Sequence, residues 1–553
     1  MIKLYSFDIF DTLLLRPYAD PQEVWKVLEE EEKSFGFAKE RKAADAITYR
    51  RLAKRGGETS LEEAYDLIPQ WKHLMQKEMD LERRVLRGNP ELLNMWNEIG
   101  KKGFRRIIVS DMYLPSDFIK SVLQENGFGD YDAFYLSRDY NARKATGELF
   151  KIVIKEEHVN FDEIIHIGDN LHSDVKIPQR LGMQIHYHPK IIERLYKTCP
   201  FTRQINGRLS GVMALGWHQF CMEHPNHTYW NRFGFMLGGV LGYLYVKWIV
   251  DTAKKNGKNH LMFVARDGYI WKKICDELFP DMKTDYFYAP RLTSIAILGA
   301  IGSDPFAVKA RQKYINSHLV DVDIQKIKDD YISYMKHFII DDKTVIIDGC
   351  SSGFSAQRLV EWTIGQKVDG YYLLSMSEKE NVYSLYKTNL YSFQFQPLIE
   401  FLFGSPENPI IGVDENGPIY TKEVLSSEKF KMSVSCDIQE GALACARILN
   451  KENIKINGRE CIEFINQFMK NLTQEDRNHL KKAKNATDVQ QNHLKKIIYK
   501  PYGRIDLRIQ FKKIVPNRID VVINKNLFSI WFGQYGLKLL HKNISVKIDD
   551  YTT

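Results

Sequence analysis

IKLYSFDIFDTLL, residues 2–14, opens with a short apolar run that ends on an acid, Asp8. A run this short, stopped by a polar residue, reads as a buried strand rather than a helix. The same pattern returns in RRIIVSD (105–111), DAFYLS (132–137), EIIHIGD (163–169) and MQIHYH (183–188). Helical stretches separate these runs, and alternating strand and helix implies a parallel sheet. From Asp20 to about Gly100 the chain is instead helical and charged, as in EVWKVLEEEEKSF and KEMDLERRVL, with breaks at Gly56-Gly57 and Gly88-Asn89-Pro90. The expectation for residues 1–200 is an α/β, Rossmann-like domain carrying a helical insertion at about 17–98.

Outward from this region the bulk properties set limits. A chain of 553 residues is too long for one hydrophobic core, so two to four domains are expected. No stretch reaches the ~18–20 unbroken apolar residues of a membrane span, and the nearest, Phe233 to Tyr245, reads as a buried helix. The N-terminus enters a strand at once and shows no signal-peptide pattern. Seven scattered cysteines with no CxxC pair argue against a zinc site or a disulfide framework and point to a reducing cytoplasm. The net charge of +8 is unevenly placed: from Lys451 to the end, 20 Lys+Arg face 10 Asp+Glu. A basic terminal region implies an anionic partner or a solvated basic face.

Ligands of open parallel sheets bind at the carboxyl ends of the strands. Asp8, Ser110-Asp111 and Asp169 all stand at such ends, and Asp174 follows five residues after Asp169. Phosphoryl transfer needs cations around its anions. Clustered Asp8, Asp169 and Asp174 suit Mg²⁺, a hard ion that prefers oxygen ligands. The Ser110 hydroxyl and the Lys144 ammonium suit the phosphoryl oxygens. Lys144 lies in NARKATGELF, just before a helix whose free N–H groups favour anions. An attacking Asp that forms an aspartyl-phosphate divides one hard step into two easier ones.

These residues resemble the four motifs of the haloacid-dehalogenase-like (HAD) superfamily, in order and spacing. SFDIFDTLL is similar to the first motif, IIVSDM to the second, Lys144 to the third and HIGDNLHSDV to the fourth. The resemblance covers about residues 1–195. It implies that Asp8 is the nucleophile, that Ser110, Asp111 and Lys144 hold phosphate, and that Asp8, the Phe10 carbonyl, Asp169 and Asp174 form the Mg²⁺ site. It also implies that the helical insertion is a cap over the substrate. One position departs from the pattern. Phosphatases of this family place a second Asp, a general acid, two residues after the nucleophile, and here Phe10 stands there. Asp11, one residue further, is the candidate replacement. A Phe10→Asp substitution is expected to restore part of the rate on alkyl esters, within the ~10²–10⁴ range of acid–base catalysis.

A second Rossmann-like α/β region is expected over 201–425. NHLMFVARDGY (259–269) reads as a strand running into a turn, KTVIIDGCSSGFSAQRL (343–359) as a strand, a Gly/Ser-rich loop and a helix start, and VDGYYLLSM (368–376) as a strand. Arg266, Asp267 and Gly268, with Asp348, Ser351, Ser352, Gly353 and Ser355, form a candidate second site for a phosphate or diphosphate. The turn and loop, with EFLFGSPENP (400–409), resemble bacterial two-part HAD-like proteins associated with surface-polysaccharide synthesis. Residues 426–553 form a basic C-terminal region, helical and Lys-rich over 426–500 and strand-like over 505–530. Its aromatic stretch NKNLFSIWFGQYGLKLLHK (524–542) suits either a docked terminal element or peripheral contact with the inner face of a membrane. No nucleic-acid-binding motif accompanies the charge, so nucleic acid is not an expected partner. The sequence therefore points to a cytoplasmic, Mg²⁺-dependent phosphohydrolase or phosphotransferase. Its substrate would be a small phosphorylated molecule, such as a sugar phosphate or lipid-linked phosphate. The alternative is an inactive HAD scaffold whose ligand binding lies in 201–425.

Overall fold

The run that ends at Asp8 becomes strand β1 (Leu4–Phe7), the centre of a five-stranded sheet. The computed structural model describes residues 2–55, 57–300, 323–351, 354–375, 380–387, 395–455, 457–486, 494–497, 504–511, 519–524 and 544–549. They divide into two compact units, Met1–Asn226 and His227–Thr553.

In the first unit β1 is joined by β2 (Arg105–Ser110), β3 (Ala133–Leu136), β4 (Ile164–Gly168) and β5 (Gln184–Tyr187), in the order β3-β2-β1-β4-β5. Every pairing is parallel, and Leu4 is level with both Arg105 and Ile164. The chain leaves β1 towards β2 on one side and later returns to β4 on the other. That reversal opens a crevice at the carboxyl ends of β1, β2 and β4, where doubly wound sheets bind ligands. Apolar side chains on both faces of β1, among them Leu4 and Phe7, account for the continuous apolar run of the sequence.

Between β1 and β2 lies a helical insertion: α1 (Glu23–Glu32), α2 (Phe37–Arg55), α3 (Leu61–Tyr65), α4 (Met75–Val85) and α5 (Pro90–Lys101). It is rooted by a two-residue antiparallel pairing of Leu14–Leu15 with Arg87–Gly88. Its core holds Trp25, Phe37, Tyr65 and Leu81, and is continuous with Phe7, Phe10 and Leu14. A buried ion pair runs through it. Glu78 takes two bonds from Arg41, at 3.0 and 3.1 Å, one from the Tyr65 hydroxyl at 2.7 Å and one from Trp25 Nε1 at 3.1 Å.

The first unit extends past residue 200, the expected boundary. The helix Gly207–Glu223 buries Leu209, Val212, Met213, Trp217 and Phe220. At Gly211 it approaches so closely that a Cβ would lie 2.4 Å from the Tyr18 Cα. His218 on this helix bonds to Asn89 Oδ1 at 3.0 Å.

The second unit is built on another all-parallel sheet: β6 (His260–Val264), β7 (Lys283–Phe287), β8 (Thr344–Ser351), β9 (Asp369–Ser375) and β10 (Val382–Lys387), in the order β10-β9-β8-β6-β7. The segment Tyr229–Lys255 has the length and composition of a membrane span, but 89% of its apolar window is buried within the fold. The helix Ser426–Lys451 packs against it. A Cβ on Gly234 would lie 1.9 Å from the Ile438 carbonyl, and one on Gly441 2.0 Å from that of Asn231. This backbone crossing is why residue 426 begins no separate region.

Two further expectations change. Gly349, Cys350 and Ser351 belong to β8 rather than to a loop, because the strand stays paired with β9 as far as Ser351. Residues 426–500 are not helical throughout, since Lys484–Ala486 pairs antiparallel with Leu494–Lys496. The strand-like C-terminal stretch forms a three-stranded antiparallel sheet of Arg504–Phe511, Ile519–Asn524 and Ile544–Asp549. Ser352, Gly353 and all but the first residue of the aromatic stretch 524–542 lie outside the described residues.

Candidate active site

Asp8 directly follows β1, Ser110 ends β2 and Asp169 follows β4, so the sheet itself delivers three polar groups to one crevice. Ser110 Oγ donates to Asp8 Oδ1 at 2.8 Å, and Lys144 Nζ donates to the same oxygen at 2.6 Å. Among the described residues no hydrogen bond reaches Asp8 Oδ2. The carboxylates of Asp8, Asp169 and Asp174 each place an oxygen within 4.8 Å of the others, and all three residues are buried.

The three carboxylates differ in what holds them. Asp174 is saturated: Oδ1 takes Lys144 Nζ at 2.5 Å and faces His166 Nε2 at 3.2 Å, while Oδ2 takes the Asn170 N–H at 2.9 Å. Burial alone would raise its pKa, but the Lys144 charge and His166 bring it well below the usual carboxylate range. His166 is in turn held by Ser6 Oγ at 2.7 Å. Asp174 therefore aims Lys144 at Asp8. Lys144 is buried, which disfavours its charge, yet Asp174 and Asp8 overrule this and raise its pKa, so it stays an ammonium.

Asp169 lies in the opposite situation. Burial, and then the neighbouring Asp8, push its pKa up to about 8 against the pull of Lys190. Two buried carboxylates that disfavour each other's charge fit a divalent cation, which oxygen ligands of this kind hold. The residues present thus fit Mg²⁺ between Asp8 and Asp169, with Asp174 in a supporting place.

Three expectations are refined by the geometry. Asp111 is engaged by the backbone: its oxygens accept the N–H groups of Lys144 at 2.7 Å and Ala145 at 3.2 Å. Those N–H groups are consumed in fixing the Lys144 turn, so they present no anion site of their own. Phe10 is buried in the insertion core, with the Arg16 guanidinium 4.3 Å above its ring. Asp11 sits in the left-handed region at φ 55°, and its Oδ2 accepts from Lys190 Nζ at 2.8 Å. Lys190 also stands 3.2 Å from Asp169 Oδ2, and Thr12 Oγ1 donates to Asp169 Oδ1 at 3.3 Å. Sequence reasoning missed Lys190 and Thr12, which carry no spacing signal. It also missed His166, although a histidine inside the apolar run EIIHIGD is a visible anomaly.

In the second unit β6 and β8 are neighbours, and the topology reverses between them, so their carboxyl ends also flank a crevice. Arg266, at φ 79°, and Asp267 form the turn into the helix Gly268–Leu278. Asp267 Oδ2 lies 3.2 Å from where a Cβ on Gly349 would stand, so the turn meets β8 at Gly349, two residues before the strand ends. Burial, then Glu400, push Asp267 up to about 7. Burial pushes Asp348 up to about 6, although the Gly349 N–H donates to it at 2.8 Å. Arg266 is paired with buried Glu428. Ser355 begins the helix Ser355–Ile364.

No model of a known protein family and no curated protein sequence matches the chain. Solved structures do resemble part of it. A HAD family enzyme from Bacteroides thetaiotaomicron, in complex with magnesium and inorganic phosphate, is 17% identical over 34% of this chain and 96% of that one, with a TM-score of 0.26. L-2-haloacid dehalogenase from Xanthobacter autotrophicus is 18% identical over 36% of this chain and 83% of that one, with a TM-score of 0.28. Both likenesses are remote, and the chemistry of the site is read from its own residues.

Proposed function

We propose that the first unit is a Mg²⁺-dependent phosphohydrolase or phosphotransferase that works through an aspartyl-phosphate on Asp8. The observation that carries this reading is the Asp8 carboxylate itself, with Oδ1 fixed by Ser110 and Lys144 and Oδ2 left without a hydrogen bond among the described residues. Attack by Oδ2 on phosphorus forms the Asp8–phosphorus bond as the bond to the leaving oxygen breaks. Water then cleaves the acyl phosphate and releases inorganic phosphate. Ser110 and Lys144, already converged on Asp8, are placed to stabilise the phosphoryl oxygens. Bound Mg²⁺, held by Asp8, Asp169 and the Phe10 carbonyl, would neutralise phosphoryl charge.

The substrate class follows as a small phosphorylated molecule. A role in cell-surface polysaccharide synthesis is supported by the resemblance at Ala265–Gly268, Asp348–Gly349 and Gln357. A cytoplasmic location is the reading of the sequence, whose seven cysteines are scattered and form no CxxC pair.

The test is hydrolysis of a panel of aryl, acyl and sugar phosphates with and without Mg²⁺. Turnover should require the ion and should fall by more than ~10³-fold in Asp8→Asn, with the circular dichroism spectrum unchanged. A second reading is favoured by Phe10 at the acid position together with Asp267 and Asp348 in the second unit. In it, the first unit is a scaffold and the second binds or transforms a sugar phosphate or nucleotide sugar. Turnover that survives Asp8→Asn but is lost in Asp267→Asn would select it.

A further inference from the structure

Lys190 belongs to none of the motifs, yet it stands inside the carboxylate cluster. It follows β5 by three residues and directly precedes the helix Ile191–Thr198. Its Nζ lies 2.8 Å from Asp11 Oδ2 and 3.2 Å from Asp169 Oδ2, and its side chain keeps 32% exposure. The other ammonium of the site, Lys144, keeps 3% and is locked between Asp8 and Asp174. One cation is therefore a fixed part of the site, while the other has a route to solvent.

Asp169 is one of the two carboxylates that fit the divalent ion. An ammonium and a divalent cation crowded on one carboxylate in a buried place repel strongly, because the local dielectric screens them poorly. We infer that Lys190 is a built-in competitor of the divalent ion. It occupies Asp169 Oδ2 in the ion-free site and gives that oxygen up when the metal enters, keeping its pair with Asp11. The effect is a weaker and more exchangeable metal site than the same carboxylates would form alone. This rests on the proposed reading of Asp8 and Asp169 as metal ligands.

The experiment measures Mn²⁺ binding to the full-length chain by electron paramagnetic resonance, with no substrate present. Lys190→Met should bind Mn²⁺ at least ~10-fold more tightly than the wild type, about 1.4 kcal/mol. Lys190→Arg keeps the charge and should stay within about threefold of the wild type. Asp169→Asn should lose binding. A general structural defect would weaken affinity, so a gain separates competition from damage. If Lys190→Met fails to fold, Lys190→Gln makes the same comparison. Equal or weaker Mn²⁺ binding in the neutral variant overturns the role of Lys190 and leaves the metal site standing. Absence of Mn²⁺ from every variant, or undiminished binding in Asp169→Asn, overturns both.

Discussion

Phe10 sets the chemical limit of the proposed site. Its ring fills part of the insertion core beneath Arg16, which itself pairs with buried Glu82 at 3.2 Å. An Asp at this position would point into that core and meet the Arg16 guanidinium rather than a leaving group. Phe10→Asp is therefore expected to destabilise the first unit by about 3–5 kcal/mol, as large-to-small core changes do, and to leave alkyl phosphate turnover unimproved. Thermal unfolding and rates on matched aryl and alkyl esters check both parts. Faster alkyl ester turnover at unchanged stability would show that the side chain at position 10 reaches the substrate. This reverses the sequence-based expectation, and the reason is physical: a motif position fixes where the backbone runs, not which way its side chain turns. Asp8, Ser110 and Asp169 were legible because they end apolar strands. Lys190 was not, because its partners are 179 and 21 residues away and only the fold brings them together.

Among the elements, the insertion depends on one buried carboxylate. Glu78 on α4 receives donors from Trp25 on α1, Arg41 on α2 and Tyr65 on α3, so one side chain ties four helices. Arg41 is fully buried; burial opposes its charge, and Glu78 outweighs burial and raises its pKa. Glu78→Ala leaves that guanidinium with only the half-buried Asp45, 3.7 Å away, as an acidic partner among the described residues, and should cost about 3–5 kcal/mol in denaturant unfolding. Replacing both residues with leucine should recover only part of the loss, since the apolar pair has no desolvation cost but leaves the buried Tyr65 hydroxyl and Trp25 Nε1 without their acceptor. A loss below about 1 kcal/mol in Glu78→Ala would mean that the pair is solvated in solution. Element legibility followed apolar content. Strands β1 to β6, β8 and β9 stand out as short apolar runs, the edges β3 and β5 of the first sheet included, whereas β7, KTDYF, and β10, VYSLYK, mix polar residues into theirs and escaped notice. The end of β8 was misread as a loop because Gly349 and Ser351 are loop-type residues that here remain paired in a strand.

At the scale of the molecule, the first unit closes only when the helix Gly207–Glu223 is counted in, and this can be tested by pH and by truncation. Asn89 joins the two histidines that seal the helix: its Nδ2 lies 3.2 Å from His188 and its Oδ1 3.0 Å from His218. Both histidines are pushed down to about 4, chiefly by burial, with the Arg194 charge adding to it and Glu91 opposing. A folded pKa below the unfolded 6.5 means that the unfolded chain binds more protons between pH 6.5 and 4. Stability from these groups is thus complete above about pH 6.5 and is lost as pH falls towards 4, on the order of 3 kcal/mol for each histidine. His218→Gln should flatten this acid limb of the stability profile. Truncation uses the same contacts. A chain of residues 1–226 keeps the helix, its apolar face and the Asn89 bridge. A chain of residues 1–200, cut at the boundary that strand periodicity suggested, exposes the surface that Leu209, Val212, Met213, Trp217 and Phe220 cover and removes the His218 partner of Asn89. Several large apolar side chains, each worth about 1.5–3 kcal/mol when buried, exceed the margin of a typical domain. Residues 1–226 should therefore fold cooperatively and carry the proposed Mg²⁺-dependent activity, while residues 1–200 should lack a sharp unfolding transition. Equal melting curves for the two chains would show that the helix Gly207–Glu223 is dispensable and that the first unit ends where the sequence alone had placed it.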